Sequence, residues 1–207
     1  MRIKTLVAAL AAMTSLAPIT AQAQSSSENP WMVRVRAVDL LWANGQSGGV
    51  VQSANVKATD KVIPEFDISY FFTKNIAAEL VLTYPQSIQI DAGGSKLGTI
   101  KALPPSLLLQ YHFTNFGAFK PYVGAGVNYT IFSSRNNLGG GAYSVDSSSF
   151  GAVGQVGMDY MFDKNWGLNI DLKYATMSTN VTDSAGANVG KLTLNPWMPA
   201  VGVTYKF

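Results

Sequence analysis

The stretch Trp166–Tyr174 reads W-G-L-N-I-D-L-K-Y. In an extended chain Trp166, Leu168, Ile170, Leu172 and Tyr174 share one face. Gly167, Asn169, Asp171 and Lys173 share the other, because side chains alternate across a strand. The apolar face carries an aromatic ring at each end. A soluble sheet buries such a face. A transmembrane β-barrel turns it to lipid, lines its lumen with the polar face and sets aromatic girdles at both interfaces. A run of about 9 residues also matches a tilted strand crossing a bilayer.

The rest of the chain repeats the pattern. Aromatic-ended runs at Tyr70-Phe71-Phe72, Tyr111-His112-Phe113 and Tyr160-Met161-Phe162 each precede a short connector. Longer segments rich in Gly, Ser, Asn and Asp lie at Ala43–Lys61, Pro85–Thr99, Ser134–Ser148 and Val181–Gly190. Long and short connections therefore alternate, as short periplasmic turns and long extracellular loops do in outer-membrane barrels. The predicted strands are Trp31–Trp42, Val62–Phe72, Ile76–Tyr84, Ile100–Phe113, Lys120–Ser133, Ser149–Phe162, Trp166–Asn180 and Lys191–Phe207. The sequence thus predicts an all-β fold, an eight-stranded antiparallel transmembrane barrel. A helical alternative fails because the period is 2, and glycines and prolines interrupt every candidate helix. In the first strand, the outward phase of Trp31, Val33, Val35 and Ala37 reaches Asp39. Either a β-bulge near Ala37–Asp39 restores the phase, or Asp39 sits above the lipid and Leu40 and Trp42 line the upper lumen. The second is preferred.

Composition agrees with export. Arg2 and Lys4, the apolar stretch Thr5–Met13 and the A-x-A site Ala21-Gln22-Ala23 read as a signal peptide over residues 1–23, leaving 24–207 as the barrel domain. Lys and Arg number 15 against 12 acids; without Arg2 and Lys4 the balance is 13 to 12, so no electrostatic footprint for nucleic acid remains. The chain has no cysteine, is 47% hydrophobic and only 13% charged. After the signal peptide, no apolar run is long enough for a transmembrane helix.

Several of these segments resemble the OmpW family: Leu103-Pro104-Pro105 with Leu107–Phe113, the strand Lys120–Thr130 (K-P-Y-V-G-A-G-V-N-Y-T), Gly154–Tyr160, Asn195-Pro196-Trp197, and the C-terminal V-T-Y-K-F. The loops and the first strand diverge. The resemblance implies a barrel in the outer membrane of a Gram-negative bacterium, with outer-membrane lipids around it. It also implies passage of small hydrophobic solutes, since the alkane-uptake porins are similar. Tyr205 and Phe207 resemble the terminal signal read by the barrel-assembly machinery; Phe207 also suits a girdle position.

An eight-stranded barrel has room inside for its own side chains or one small ligand. The inward phase collects Arg34, Arg36, Lys173 and Lys206 against Glu65, Asp67, Glu79, Asp159 and Asp171. Buried charges must be paired, so a salt-bridged plug is expected in the periplasmic half. An ion-selective path would need an excess of one sign. Leu40, Trp42, Leu108, Phe132 and Met198 are expected to make the upper lumen apolar. Solute blocked axially must leave sideways, and Leu103, Pro104 and Pro105 offer the place, because proline cannot donate to a ladder. A loop-proximal bulge without a transport role is the alternative. No enzyme, metal or cofactor is implied. The single histidine, His112, is expected beside the plug, far from Asp146 and Ser147–Ser149. The glycines of Gly124–Gly126 and Gly139–Gly141 suit packing and loop flexibility. Two functions remain open: a passive conduit for small hydrophobic compounds, and a structural or surface-interaction barrel with a sealed lumen.

Overall fold

The computed structural model describes residues 29–207; the signal-peptide assignment lies outside the described residues. Eight strands close a ring: β1 (Trp31–Leu40), β2 (Lys61–Phe71), β3 (Ile76–Leu82), β4 (Ser106–His112), β5 (Phe119–Ser133), β6 (Ser148–Met161), β7 (Trp166–Ala175) and β8 (Trp197–Lys206). Each pairs antiparallel with the next, and β8 returns to β1 through Met32↔Lys206 to Val38↔Ala200. Closure leaves none of these eight as an edge strand, so along the paired stretches the backbone polar groups in lipid are satisfied by the ladder itself.

The alternation of Trp166–Tyr174 is realised in β7. Trp166, Leu168, Ile170 and Leu172 are exposed to the surroundings of the barrel, whereas Asn169, Asp171 and Lys173 are buried inside it. At the periplasmic rim the outward rings touch in series. Trp31 meets Tyr70 at 4.9 Å and Tyr70 meets Phe72 at 5.3 Å, while Phe119 meets Tyr160 at 4.9 Å and Trp166 meets Tyr205 at 4.8 Å, which makes a girdle. The short turns are pinned by side chains. Asp163 Oδ1 accepts the amides of Asn165 and Trp166 at 2.7 Å each, an Asx-type turn. These amides, Trp166's above all, hold the exposed Asp163 carboxyl below its ordinary range.

β1 runs without a register shift against β2, from Trp31↔Tyr70 to Leu40↔Lys61. There is no bulge at Ala37–Asp39. Met32, Arg34, Arg36, Val38, Leu40 and Trp42 all point inward and are buried, so the lumen changes from charged to apolar along a single uninterrupted strand.

The four segments expected as loops are different from that expectation. Gln86–Ala92 and Ser95–Leu103 form a hairpin, as do Ser178–Asp183 and Asn188–Thr193. Gly45–Ser47, Lys57–Ala58 and Tyr143–Val145 add short strands to them, and Gly49–Ser53 forms a short helix, α1. The predicted strands Ile100–Phe113, Trp166–Asn180 and Lys191–Phe207 are accordingly each broken in two, at Pro104-Pro105, Thr176-Met177 and Leu194–Pro196. Above the bilayer the sheet obeys the ordinary rule: Ile88, Ile90 and Ile100 face inward and Ser87, Gln89 and Lys101 face water. The polar outer face gave these strands a loop-like composition.

Candidate functional site

The plug is built on β1, which carries Arg34 and Arg36 two residues apart on one face. Arg34 Nη2 lies 2.6 Å from Asp159 Oδ2, and its Nη1 lies 3.1 Å from Glu79 and 3.5 Å from Asp67. Arg36 reaches Asp67 at 2.6 Å, Glu65 at 2.9 Å, Glu79 at 3.1 Å and Asp171 at 3.5 Å. Lys173 bridges Glu65 and Asp171 at 2.8 Å each. Planar guanidinium forks suit several carboxylates at once, which a point-charge ammonium does less well. The Tyr122 hydroxyl donates to Asp171 at 2.8 Å and accepts from Asn169 at 3.0 Å; its ring stacks on His112 and lies 4.8 Å from the Arg34 guanidinium. His112 Nε2 is within hydrogen-bond distance of Gln110, at 2.9 Å.

Eight of the nine residues grouped as a plug from sequence are thereby brought together. Lys206 is placed differently: its ammonium lies 5.6 Å over the Phe71 ring at the periplasmic rim. Thr204 is the last fully buried residue of β8, so Lys206 sits where a long cationic chain can snorkel to the interface. The cluster built on β1 joins Arg34, Arg36 and Lys173 to Glu65, Asp67, Glu79, Asp159 and Asp171.

The plug is tightly packed at Gly157. A Cβ added at Gly157 would overlap the Tyr122 ring and crowd the Asp171 carboxylate. We expect Gly157→Val to lower stability by about 1–3 kcal/mol through overpacking, seen as a lower urea midpoint with an unchanged slope.

Above the plug the interior is mainly apolar, with Gln86, Ser106, Asn128, Thr130 and Ser149 among its buried polar residues. Leu108 packs with Val81, Val153 and Ala175, and Met198 bridges this cluster to the larger one that contains Leu40, Trp42 and Phe132. The Trp42 indole donates to the Thr59 carbonyl at 3.0 Å. Most of the larger cluster was missed in the sequence: Val51, Val56, Ile88, Ile90 and Leu138 lie in segments read as loops, and Ile63, Ile100, Leu192 and Leu194 lie in predicted strands but were not assigned to the lumen. At the extracellular tip a cavity of about 180 Å³ opens among α1, the two hairpins and Tyr143–Val145. Val51, Ile90, Ala92, Leu138, Val189 and Leu192 are among its lining residues, which are all apolar in kind apart from the Tyr143 hydroxyl.

Leu103, Pro104 and Pro105 lie half-buried in the wall at the level where the barrel meets its extracellular extension. On the β5 side the wall is bonded: the Tyr129 amide donates to Pro105 O at 3.1 Å, and the Asn128 side chain donates to Pro104 O and Pro105 O at 3.3 Å. On the other side the β3–β4 ladder ends at Val81↔Ser106 and the hairpin ladder begins at Gln86↔Ala102. Among the described residues no strand pairing joins Leu82–Pro85 to Leu103–Pro105. Pro85 was not singled out from sequence; it removes a donor opposite the Pro104-Pro105 pair. Thr83–Pro85 is also loosely held toward β2, where pairing ends at Phe66↔Leu82 and Thr83 Oγ1 lies 3.5 Å from Pro64 O.

At the chain end, Tyr205 packs edge-on to Phe207 at 4.9 Å, and the Phe207 amide donates to Trp31 O at 3.1 Å. Asp146, in the extracellular part, accepts from the backbone and side chain of Asn180 at 2.9 Å. His112 lies at the opposite, periplasmic end of the barrel.

Comparison with known proteins follows this architecture. The OmpW family profile matches residues 31–207. The outer-membrane protein y4mB of Sinorhizobium fredii is 43% identical over 97% of this chain and 90% of its own length. The crystal structure of OprG from Pseudomonas aeruginosa superposes with a TM-score of 0.71 at 29% identity, covering 87% of this chain and 97% of that one. Outer membrane protein AlkL of Ectopseudomonas oleovorans is 29% identical over 77% of this chain and 72% of its own. AlkL's solid-state NMR structure in DMPC bilayers gives a TM-score of 0.71 at 25% identity, covering 89% of this chain and 94% of that one. With a closed barrel, a lipid-facing aromatic girdle and these likenesses, the chain belongs to the OmpW family, as a β-barrel of the Gram-negative outer membrane.

Proposed function

We propose that this barrel is a passive conduit through which small hydrophobic molecules pass from the cell exterior into the outer membrane. The observation that carries the reading is the extracellular cavity of about 180 Å³, lined almost wholly by apolar side chains, above a salt-bridged plug. An apolar mouth lowers the free energy of a greasy solute leaving water, by about 25 cal/mol per Å² of apolar surface removed. The plug denies it an axial route, because crossing would strip it of apolar surroundings among buried charges. Sideways release at Leu103-Pro104-Pro105, facing Thr83–Pro85, requires no ladder hydrogen bond to break there. Binding must stay weak for flux to persist. The similarity to alkane-uptake porins supports the same solute class. The reading involves no catalytic step and no cofactor. Phe207, with Tyr205, is assigned as the signal for the barrel-assembly machinery.

The exit is tested by restoring the missing donors. In Pro104→Val/Pro105→Val, uptake of a hydrophobic solute into cells or liposomes is expected to fall about tenfold, the equivalent of 1.4 kcal/mol, with the barrel still folded by its gel mobility. Unchanged uptake in a folded double variant would sink lateral release. Absence of uptake by the unaltered protein would favour a sealed surface-interaction barrel.

A further inference from the structure

Resting on the pathway reading above, we infer that Gln86 gives the conduit a preference for apolar solutes that carry one neutral hydrogen-bond donor, such as medium-chain alcohols and phenols. Gln86 begins the strand Gln86–Ala92, and its side chain shares the inward face with Ile88 and Ile90. It is 1% exposed and stands opposite buried Ala102. Ile90, four residues further along the same face, lines the extracellular cavity. Thr83–Pro85, where the wall pairing lapses, immediately precedes Gln86. Along its strand Gln86 thus stands between cavity-lining Ile90 and the unpaired segment Thr83–Pro85, just below the cavity rather than in its lining.

The orientation of its amide is fixed by its neighbours. Gln86 Nε2 donates to the Tyr84 carbonyl at 3.1 Å and to Thr83 Oγ1 at 3.2 Å. A carbonyl only accepts, so the nitrogen must lie on that side and Oε1 on the other. Oε1 is buried and, among the described residues, has no hydrogen-bond partner. A buried acceptor without a donor is unfavourable, and a solute hydroxyl or N–H removes that penalty while its hydrocarbon body rests on Ile88 and its neighbours. An alkane cannot do this. A charged head group would lose its hydration beside buried Gln86, because nearby Lys61 holds the carbonyl of exposed Ser87, Lys101 pairs with Ser87 on the outer face of the sheet, and the buried ion pairs lie in the plug below.

The experiment compares 1-octanol with n-octane on the full barrel in lipid nanodiscs, by quenching of tryptophan fluorescence, with partitioning into empty discs subtracted. The unaltered protein is expected to favour the alcohol. The alcohol-to-alkane affinity ratio is expected to fall about tenfold in Gln86→Met, which keeps the shape and removes the acceptor. It should fall several-fold in Thr83→Val, which changes the half-exposed wall and only frees the amide to turn. An unchanged ratio in either folded variant overturns the inference. Octane binding without any preference for octanol in the unaltered protein also overturns it, while leaving the conduit standing. Binding of neither ligand overturns the conduit reading itself.

Discussion

Replacing Arg36 with Met is expected to lower the stability of the folded barrel by about 3–5 kcal/mol, because breaking a buried ion pair leaves uncompensated charge. Arg36 contacts Glu65, Asp67, Glu79 and Asp171 within 3.5 Å. It is effectively unexposed, and the methionine that replaces it offers none of these carboxylates a donor. Urea unfolding in bilayers should show the loss as a lower midpoint. A second change makes the cause legible. Adding Asp67→Asn removes one of the stranded charges, so the double variant should recover part of the loss and the two changes should be non-additive. A fully additive pair would mean that the carboxylates find other compensation and that the network is not the seal described above. Channel recordings offer a parallel readout: Arg36→Met is expected to raise ion conductance above that of the unaltered barrel.

The largest expected effect on transport is at the other end. Ala92 is half-buried and lines the extracellular cavity with Ile90, Leu138 and Leu192. Ala92→Trp sets an indole into that space. Its body suits the apolar lining, so the hairpin should still form, but the room for a solute is lost. Uptake of a hydrophobic solute should drop by about tenfold or more, corresponding to at least about 1.4 kcal/mol, with unfolding little changed. Normal uptake in this variant would show that solutes do not pass through the cavity.

The transmembrane part of the fold was legible in the sequence because the bilayer imposes an inverted period-2 pattern on strands such as Trp166–Ala175. The ring, its order and the orientation of the charged side chains follow from that phase alone. Lys206 escaped because phase says which way a side chain points but not how far along the strand the closed interior extends. The hairpins escaped for a different reason. In Gln86–Ala92 the outward residues Ser87, Gln89 and Asp91 meet water, so the pattern reverts to that of a soluble sheet and the run loses its membrane signature. The cavity was invisible with them, since its lining comes from four segments far apart in sequence. Pro104 and Pro105 were legible as lost donors. Which neighbour they part from was not, because that depends on Pro85 and on where two ladders stop.

The position of that break also sets a depth. Along β5 the outward side chains run from Phe119 through Val123 and Val127 to Tyr129. At about 3.3 Å per residue and a tilt of about 40°, this stretch rises roughly 25 Å, the height of the apolar band of an outer-membrane barrel. Tyr129 is the residue bonded to Pro105, and the exposed ring of Tyr84 stands in the unpaired segment Thr83–Pro85 that faces Leu103–Pro105. The break therefore sits at the upper aromatic belt, where hydrocarbon gives way to head groups. Under the proposed conduit, a solute released there would enter the membrane at the boundary between head groups and hydrocarbon, without crossing the charged plug.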